Sequence, residues 1–179
     1  MTDTPQTFIL LAGRPALDLL NTHLCGRERL GSPDDLGRWF VAAGLADEPP
    51  PISRRDLDAA RDLREALRPA LLGSDGPAVA AIAEGWLDGA PGRLCVEPST
   101  LQPRFAPGAR TSRCLLVAAV LDALDLVRET PGRVRECADP ACPTVYLDLS
   151  RNRSRRWCSM ETCGARSKAS AYYRRHRPE

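Results

Sequence analysis

Lysine is almost missing from this chain and histidine nearly so: Lys168 is the single lysine, and His23 and His176 are the only histidines among 179 residues. Two isolated imidazoles supply little general acid–base capacity at neutral pH. The sequence also lacks a His-Glu-x-x-His pair, a glycine-rich phosphate loop and a Ser/His/Asp spacing, so it reads as a non-enzyme. Long apolar runs are missing too. The longest, Leu115–Leu121, stops at Asp122, far short of the roughly 20 residues a membrane span needs. Phe8–Ala12 is too short for a secretory signal and follows Asp3 instead of a basic segment. The expectation is a cytoplasmic chain with no membrane partner. Phenylalanine is scarce, at three residues, so leucine, alanine and valine must build the core.

Charge is unevenly spread. Residues 133–179 hold 11 Arg and Lys against 5 Asp and Glu, a net +6, which leaves the rest at −4 within a total of +2. An acidic body with a basic C-terminal segment points to two tasks and to a polyanion as a partner of the second.

The body, residues 1–132, reads as helical. Residues 1–7 form a loose terminus, and Phe8–Ala12 is a short strand or lead-in. Pro15 opens a helix that runs to Leu24 and is closed by Cys25-Gly26. Ser32, followed by Pro33, Asp34 and Asp35, starts a second helix that ends at Gly44. Ser53 and Asp56 make a capping box for a long amphipathic helix reaching about Leu72, with Pro69 near its end. Ala78–Leu87 is a further helix and Leu94–Glu97 a weak strand, in a region that is loop-rich to Gly108. Ser112–Glu129, apolar all round, is the buried central helix, and Pro131-Gly132 ends the domain.

Beyond residue 132 the cysteines dominate: Cys137-x4-Cys142-x15-Cys158-x4-Cys163. Four thiolates in two pairs suit one tetrahedral zinc ion. A reducing compartment disfavours two disulfides, the x4 spacing disfavours a redox pair, and iron–sulfur clusters usually show tighter spacing. Four thiolates leave no open coordination position, so the single zinc is structural. Arg133–Cys137 is expected as a short strand running into a turn at the first knuckle. Val145–Asp148 and Arg155–Trp157 are expected to form a hairpin inside the x15 gap, followed by a helix from Gly164 to about Arg175. The fold class is therefore mainly α: a helical N-terminal domain with a few short strands, and a treble-clef-like finger (β-hairpin plus helix) at 133–179. Cys25, Cys95 and Cys114 read as ordinary buried residues, and His176 as an exposed one.

Arginine surrounds this site. Arg151, Arg153, Arg155 and Arg156 crowd the expected hairpin with Asn152. Arg166, Lys168, Arg174, Arg175 and Arg177 lie on the helix with Tyr172 and Tyr173, and Ala165, Ala169 and Tyr172 face the hairpin. Forked, permanently charged guanidiniums suit phosphates and guanine edges, so DNA is the favoured partner. A solvated basic face, or a zinc-stabilised adaptor for protein or RNA, is the alternative.

The block Cys137…Cys142…Asp148-x-Ser150-Arg151-Asn152…Arg155-Arg156-Trp157-Cys158-Ser159-Met160…Cys163-Gly164-Ala165-Arg166 resembles the CGNR-type zinc finger. Leu11-Ala12-Gly13-Arg14-Pro15-Ala16-Leu17-Asp18-Leu19-Leu20-Asn21-Thr22 resembles the opening of the ABATE domain that accompanies it. The resemblance implies a stress-induced bacterial transcription regulator that binds zinc and DNA. Ala165 departs from the family pattern, which has Asn there.

Asp18, Asn21 and Thr22 share one face of the first helix by their i, i+3, i+4 spacing. With Arg61 and Arg64 as counter-charges they would line a pocket for a small effector, or form an internal hydrogen-bond network that fixes packing. An enzyme using the Asp18/Asn21 face is the remotest reading. A homodimer is left open.

Overall fold

A computed structural model describes residues 7–10, 13–88, 94–97, 102–105 and 111–176, with backbone alone at 94–97 and 102–105. Residues 1–6, the Leu11–Ala12 end of the first apolar stretch, residues 89–93, 98–101 and 106–110, the Cys95 side chain, and residues 177–179, with the Arg177 of the basic segment, lie outside it.

Six helices and three two-stranded antiparallel sheets follow one another along the described chain. Helix α1 (Pro15–Leu20) is short, and its N-terminus is held by Asp122, whose Oδ2 accepts from the Ala16 N–H at 2.9 Å. The helix does not reach Leu24 as expected. Strands β1 (His23–Leu24) and β2 (Arg27–Glu28) pair across Cys25-Gly26. Both turn residues have positive φ, +54° and +69°, as a two-residue hairpin turn requires. The glycine read as a helix stop is a hairpin turn, and Cys25 is exposed, not buried.

Helices α2 (Pro33–Ala42) and α3 (Arg54–Leu72) begin in the expected capping boxes. The Asp35 N–H donates to Ser32 Oγ at 3.3 Å and the Asp56 N–H to Ser53 Oγ at 3.2 Å, while both serine N–H groups donate back to the carboxylates at 2.8 Å. Asp56 also accepts from Ser112 Oγ, joining the start of α3 to that of the helix Ser112–Glu129. Helix α4 (Gly76–Leu87) precedes β3 (Leu94–Glu97) and β4 (Gln102–Phe105). The second strand lies where only loop was expected. Pro103 faces Val96, and a two-stranded ribbon tolerates the missing N–H because each strand keeps a free edge.

Helix α5 (Ser112–Glu129) is central, packing on α1, α3 and α4. Leu116, Val120, Ala123 and Leu126 are buried along it, against Leu17, Leu63, Leu67 and Val79 of the surrounding helices. The same core takes in Val134 and Val145, from β5 (Val134–Glu136) and β6 (Val145–Leu147). Packing therefore runs across residue 132 without interruption. No described helix is long and apolar enough to cross a membrane.

Asp122 gives this core a pH dependence. Burial pushes its carboxyl up to about 6, against the pull of the Ala16 N–H and Arg14, and with help from Asp125 and Asp18. Arg14 Nε lies 2.7 Å from Oδ1 as an ion pair. The folded chain binds this proton more tightly than the unfolded chain does. Its contribution to stability is therefore full below about pH 4 and is lost as the pH rises to about 6. The Asp122→Asn variant should lack that slope. The difference in unfolding free energy between wild type and variant is expected to change by about 2 kcal/mol over this window, as urea titrations at stepped pH would read.

Candidate metal centre and its basic surroundings

Strand β5 delivers Cys137, and β6 begins just after Cys142. The first cysteine loop is thus the turn of the β5–β6 hairpin, whose register pairs Val134 with Leu147 and Glu136 with Val145. Four backbone-level bonds shape this knuckle. The Cys137 N–H donates to the Thr144 carbonyl at 2.9 Å, Cys142 N–H to the Asp139 carbonyl at 2.8 Å, Ala141 N–H to Asp139 Oδ1 at 3.0 Å, and Ala138 N–H to the Arg156 carbonyl at 2.8 Å.

Of the second pair, Cys163 sits on a five-residue π-helical turn, Met160–Gly164, which leads into α6 (Ala165–Arg175), and Cys158 lies just before that turn. Ser159 caps the turn, accepting from the Thr162 N–H on Oγ at 3.3 Å and from the Gly164 N–H on its carbonyl at 3.0 Å. Gly164 leaves room for its neighbours: a Cβ there would lie 3.0 Å from the Met160 sulfur and 3.3 Å from the Trp157 ring, so those side chains would have to shift by a few tenths of an ångström.

The expected hairpin within the x15 gap is not formed. Residues 148–157 return as a loop, because the buried Asp148 gathers its donors. The Ser150 N–H lies 2.9 Å from Oδ1 and the Arg155 N–H 3.2 Å from Oδ2. Burial opposes the Asp148 carboxylate, but these donors, the Ser150 hydroxyl and Arg135 hold its carboxyl below the usual range. Arg133 closes the loop base by donating to the Asp148 and Ser150 carbonyls at 2.9 and 3.0 Å. The result is still a hairpin-plus-helix finger, built on β5 and β6 instead.

All four thiol sulfurs, of Cys137, Cys142, Cys158 and Cys163, lie within 4.8 Å of one another. Cys158 Sγ is 3.6 Å from Cys142 Sγ and 3.7 Å from Cys163 Sγ. A disulfide would need about 2.05 Å. A tetrahedron of thiolates at about 2.3 Å from one ion has edges of about 3.8 Å, which is the spacing found. A multi-iron core would spread its ligands more widely. The site fits a single four-coordinate metal ion. Burial opposes ionisation of Cys142, yet hydrogen bonds with Thr144 hold its thiol below the ordinary value. Burial pushes the Cys158 and Cys163 thiols up, with further opposition from neighbouring sulfurs. So crowded a set of thiolates calls for a cation.

Comparison with known families follows this division of the chain. The CGNR zinc-finger model matches residues 133–176. The ABATE model, described as "Putative stress-induced transcription regulator", matches residues 13–130, well over half of the chain. The chain belongs to the ABATE family. No curated protein matches it.

In this ABATE-family chain the tetrapeptide at the last cysteine is Cys163-Gly164-Ala165-Arg166. Ala165 is exposed at the start of α6, so the family Asn is not needed to close the knuckle. Arg166 donates to Asp139 Oδ2 at 2.8 Å and ties α6 to the first cysteine loop. Arg155 is also committed. Its guanidinium lies 4.8 Å over the Tyr146 ring, donates from Nε to the Trp157 carbonyl at 2.9 Å, and reaches the Cys158 carbonyl. Arg151, Asn152, Arg153, Arg156, Lys168, Arg174 and Arg175 are exposed, and no ion pair engages their charges among the described residues. Arg153 has φ +51°, which turns the chain at the loop tip. No residue of α6 is buried, so Ala165, Ala169 and Tyr172 do not pack on the hairpin as expected. Tyr172 stacks on His176 at 4.1 Å, and Tyr172 and Tyr173 are exposed.

The residues read as a pocket or a network in the body are bonded within the protein. Asn21 Nδ2 donates to the Val145 carbonyl and its Oδ1 accepts the Val145 N–H, both at 2.9 Å. Thr22 Oγ1 donates to the Leu19 carbonyl at 2.6 Å and accepts from Arg64 at 3.0 Å. Arg64 grips Glu28 bidentately at 2.9 and 2.7 Å, and Arg61 Nε donates to the Leu30 carbonyl at 3.1 Å. Asp18 is buried beside them in α1. Sequence reasoning did not find the Asn21–Val145 clamp, nor the roles of Asp139 and Tyr146. Asp139 carried a local signal, since an Asp side chain favours an Asx-type turn by accepting from the backbone N–H two residues on, here that of Ala141. The clamp carried none, because its partners lie 124 positions apart.

Proposed function

We propose that this chain is a zinc-dependent, non-enzymatic transcription regulator of the bacterial cytoplasm that binds DNA through its C-terminal finger. The family descriptions support a regulator with a zinc finger. The observation that carries DNA binding is the set of cations around the metal centre with no carboxylate partners: Arg151, Arg153 and Arg156 on the loop, Lys168, Arg174 and Arg175 on α6. Unpaired guanidiniums on a loop braced by Asp148 need no ion pair broken before they meet phosphate. Asn152, at the loop tip between two arginines, is suited to a base edge. In this reading Arg155 and Arg166 position the loop and the helix instead of meeting DNA. Zinc fits the donor set best among metals, since it favours tetrahedral thiolate and has no redox chemistry of its own. The bonded state of Asp18, Asn21, Thr22, Arg61 and Arg64 favours packing over effector sensing at that face.

The test is affinity against salt, with metal-loaded chain and duplexes selected from a random library. If all six cations meet phosphates, the slope of log K on log salt is about −5. Changing Arg151 and Arg153 together to Gln is expected to reduce the slope by about 2 and the affinity by more than about tenfold at low salt. Asn152→Ala should leave the slope alone and relax sequence preference. Affinity that ignores salt and these substitutions would sink the proposal. A structured RNA outcompeting the best duplex would move the surface to the adaptor reading.

A further inference from the structure

A cleft of ≈ 500 Å³ opens where the finger meets the body. Leu72, the last residue of α3, contributes one wall, and the finger contributes the other. Arg135, Arg155 and Arg156 line it beside a single carboxylate, Glu136. Its size falls in the range of small-molecule sites, roughly 300–1,000 Å³.

The charge in the cleft is not balanced by the protein. Glu136 already accepts from Arg68 at 3.0 Å, outside the lining. Arg135 has a second acidic neighbour in Asp148, at 3.6 Å, but that carboxylate is fully buried and committed to the loop. Arg68 and Asp148 cancel each other, and three guanidiniums against Glu136 leave a net +2 facing the opening. A phosphodiester or a monocarboxylate brings one negative charge. A phosphomonoester brings about −1.5 to −2 at neutral pH, with several acceptor oxygens. The arginines are also partly fixed in advance. Arg155 lies over Tyr146 and is bonded through Nε and Nη2, which leaves Nη1 to donate, and Arg156 lies over Trp157 at 5.2 Å. Little side-chain entropy is then lost when an anion docks. Half-buried Leu72 offers apolar surface for an organic body attached to the phosphate.

We propose that this junction cleft binds a small phosphomonoester of up to mononucleotide size, and that its occupant withdraws Arg155 and Arg156 from the finger's outer surface. Through Arg155 the ligand would touch the backbone of Cys158, a metal ligand, and through Leu72 the end of the longest helix. The site stands whether or not the finger binds DNA. Where DNA is bound, ligand and duplex compete for Arg156.

The experiment is calorimetric titration of the metal-loaded full chain with 5′-AMP, inorganic phosphate and adenosine at fixed ionic strength. AMP is expected to bind with a Kd below about 1 mM, phosphate more weakly, and adenosine not at all. Arg135→Gln and Arg156→Gln should each weaken AMP by at least about tenfold, and Arg174→Gln should not. Metal content and Tm are to match wild type. If Arg135→Gln loses metal, Arg156→Gln carries the test, since its guanidinium forms no hydrogen bond among the described residues. No heat from AMP or phosphate to about 10 mM overturns the inference, as does equal weakening in Arg174→Gln. Protection of Arg156 by duplex DNA alone, with AMP silent, overturns it too, by making the cleft a DNA backbone subsite and leaving the regulator reading intact. AMP binding without DNA binding has the opposite consequence.

Discussion

Chelating the metal from the full chain is expected to unfold the hairpin, loop and π-turn, residues 133–164, and to lower the melting temperature of what remains. The finger has almost no apolar core of its own. Its interior is Cys137, Tyr146 and Cys163, flanked by the other two cysteines and Trp157. Structural zinc supplies about 10–16 kcal/mol in finger peptides, as much as the whole stability of an ordinary domain. Without it, four buried or half-buried thiols have no common partner. The effect should spread. Val134 and Val145 sit in the main core, and each is worth about 1.5–3 kcal/mol of burial to the body. Hydrogen exchange with and without a chelator, followed by zinc add-back, reads both parts. Fast exchange over 134–147, slower again on add-back, is the expected result. Because α6 buries nothing, its exchange is uninformative. Unchanged protection of β5 and β6 after complete metal removal would show that they fold on the body alone.

Asn21→Ala should be as costly as truncating a buried core leucine. One amide satisfies both backbone groups of Val145 on the edge of β6 that β5 does not use. Removing it loses two hydrogen bonds and leaves a buried donor and acceptor without partners, a cost of about 3 kcal/mol. For a chain of this size that is roughly 6–12 °C in Tm. Asn21→Asp separates hydrogen bonding from volume. It keeps an acceptor for the Val145 N–H but places an anion against the Val145 carbonyl, so it should be no better than Asn21→Ala. If both variants melt with wild type, the clamp contributes nothing. Metal affinity gives a second reading, since Val145 follows Thr144, whose carbonyl receives the Cys137 N–H. Each variant should release zinc to a chelator faster than wild type does.

The helices were legible because their signals are local. Ser32/Asp35 and Ser53/Asp56 announce their own caps, and the apolar run of α5 announces its burial. The four cysteines were legible for a different reason: few arrangements other than one ion bring two spaced thiol pairs together. What escaped was set by distant partners. The stop of α1 at Leu20 is decided where Asn21 meets a strand of the finger and Thr22 meets Arg64. Its true continuation, the Cys25-Gly26 turn, uses a cysteine where asparagine is common, so the glycine alone was ambiguous. The strand expected at 155–157 failed because Asp148, seven residues away, captures the Arg155 N–H. Likewise, loose arginines and braced ones look alike in a sequence. Arg155 and Arg166 stand apart from Arg151 and Arg153 only after the carbonyls and the carboxylate they meet have been placed.

Among the described residues, helix α6 is attached at its root alone. Eleven residues extend about 16 Å from a turn five residues long, with Arg166 as the one brace near the base. Such a cantilever magnifies small errors: tilting the root by about 10° moves the tip by about 3 Å. A single residue inserted after Gly164 would swing Lys168, Arg174 and Arg175 through about 100° around the axis while leaving all four sulfurs where they are. The direction in which those charges point is therefore written in the length of the Cys158–Gly164 turn, not in the helix that carries them.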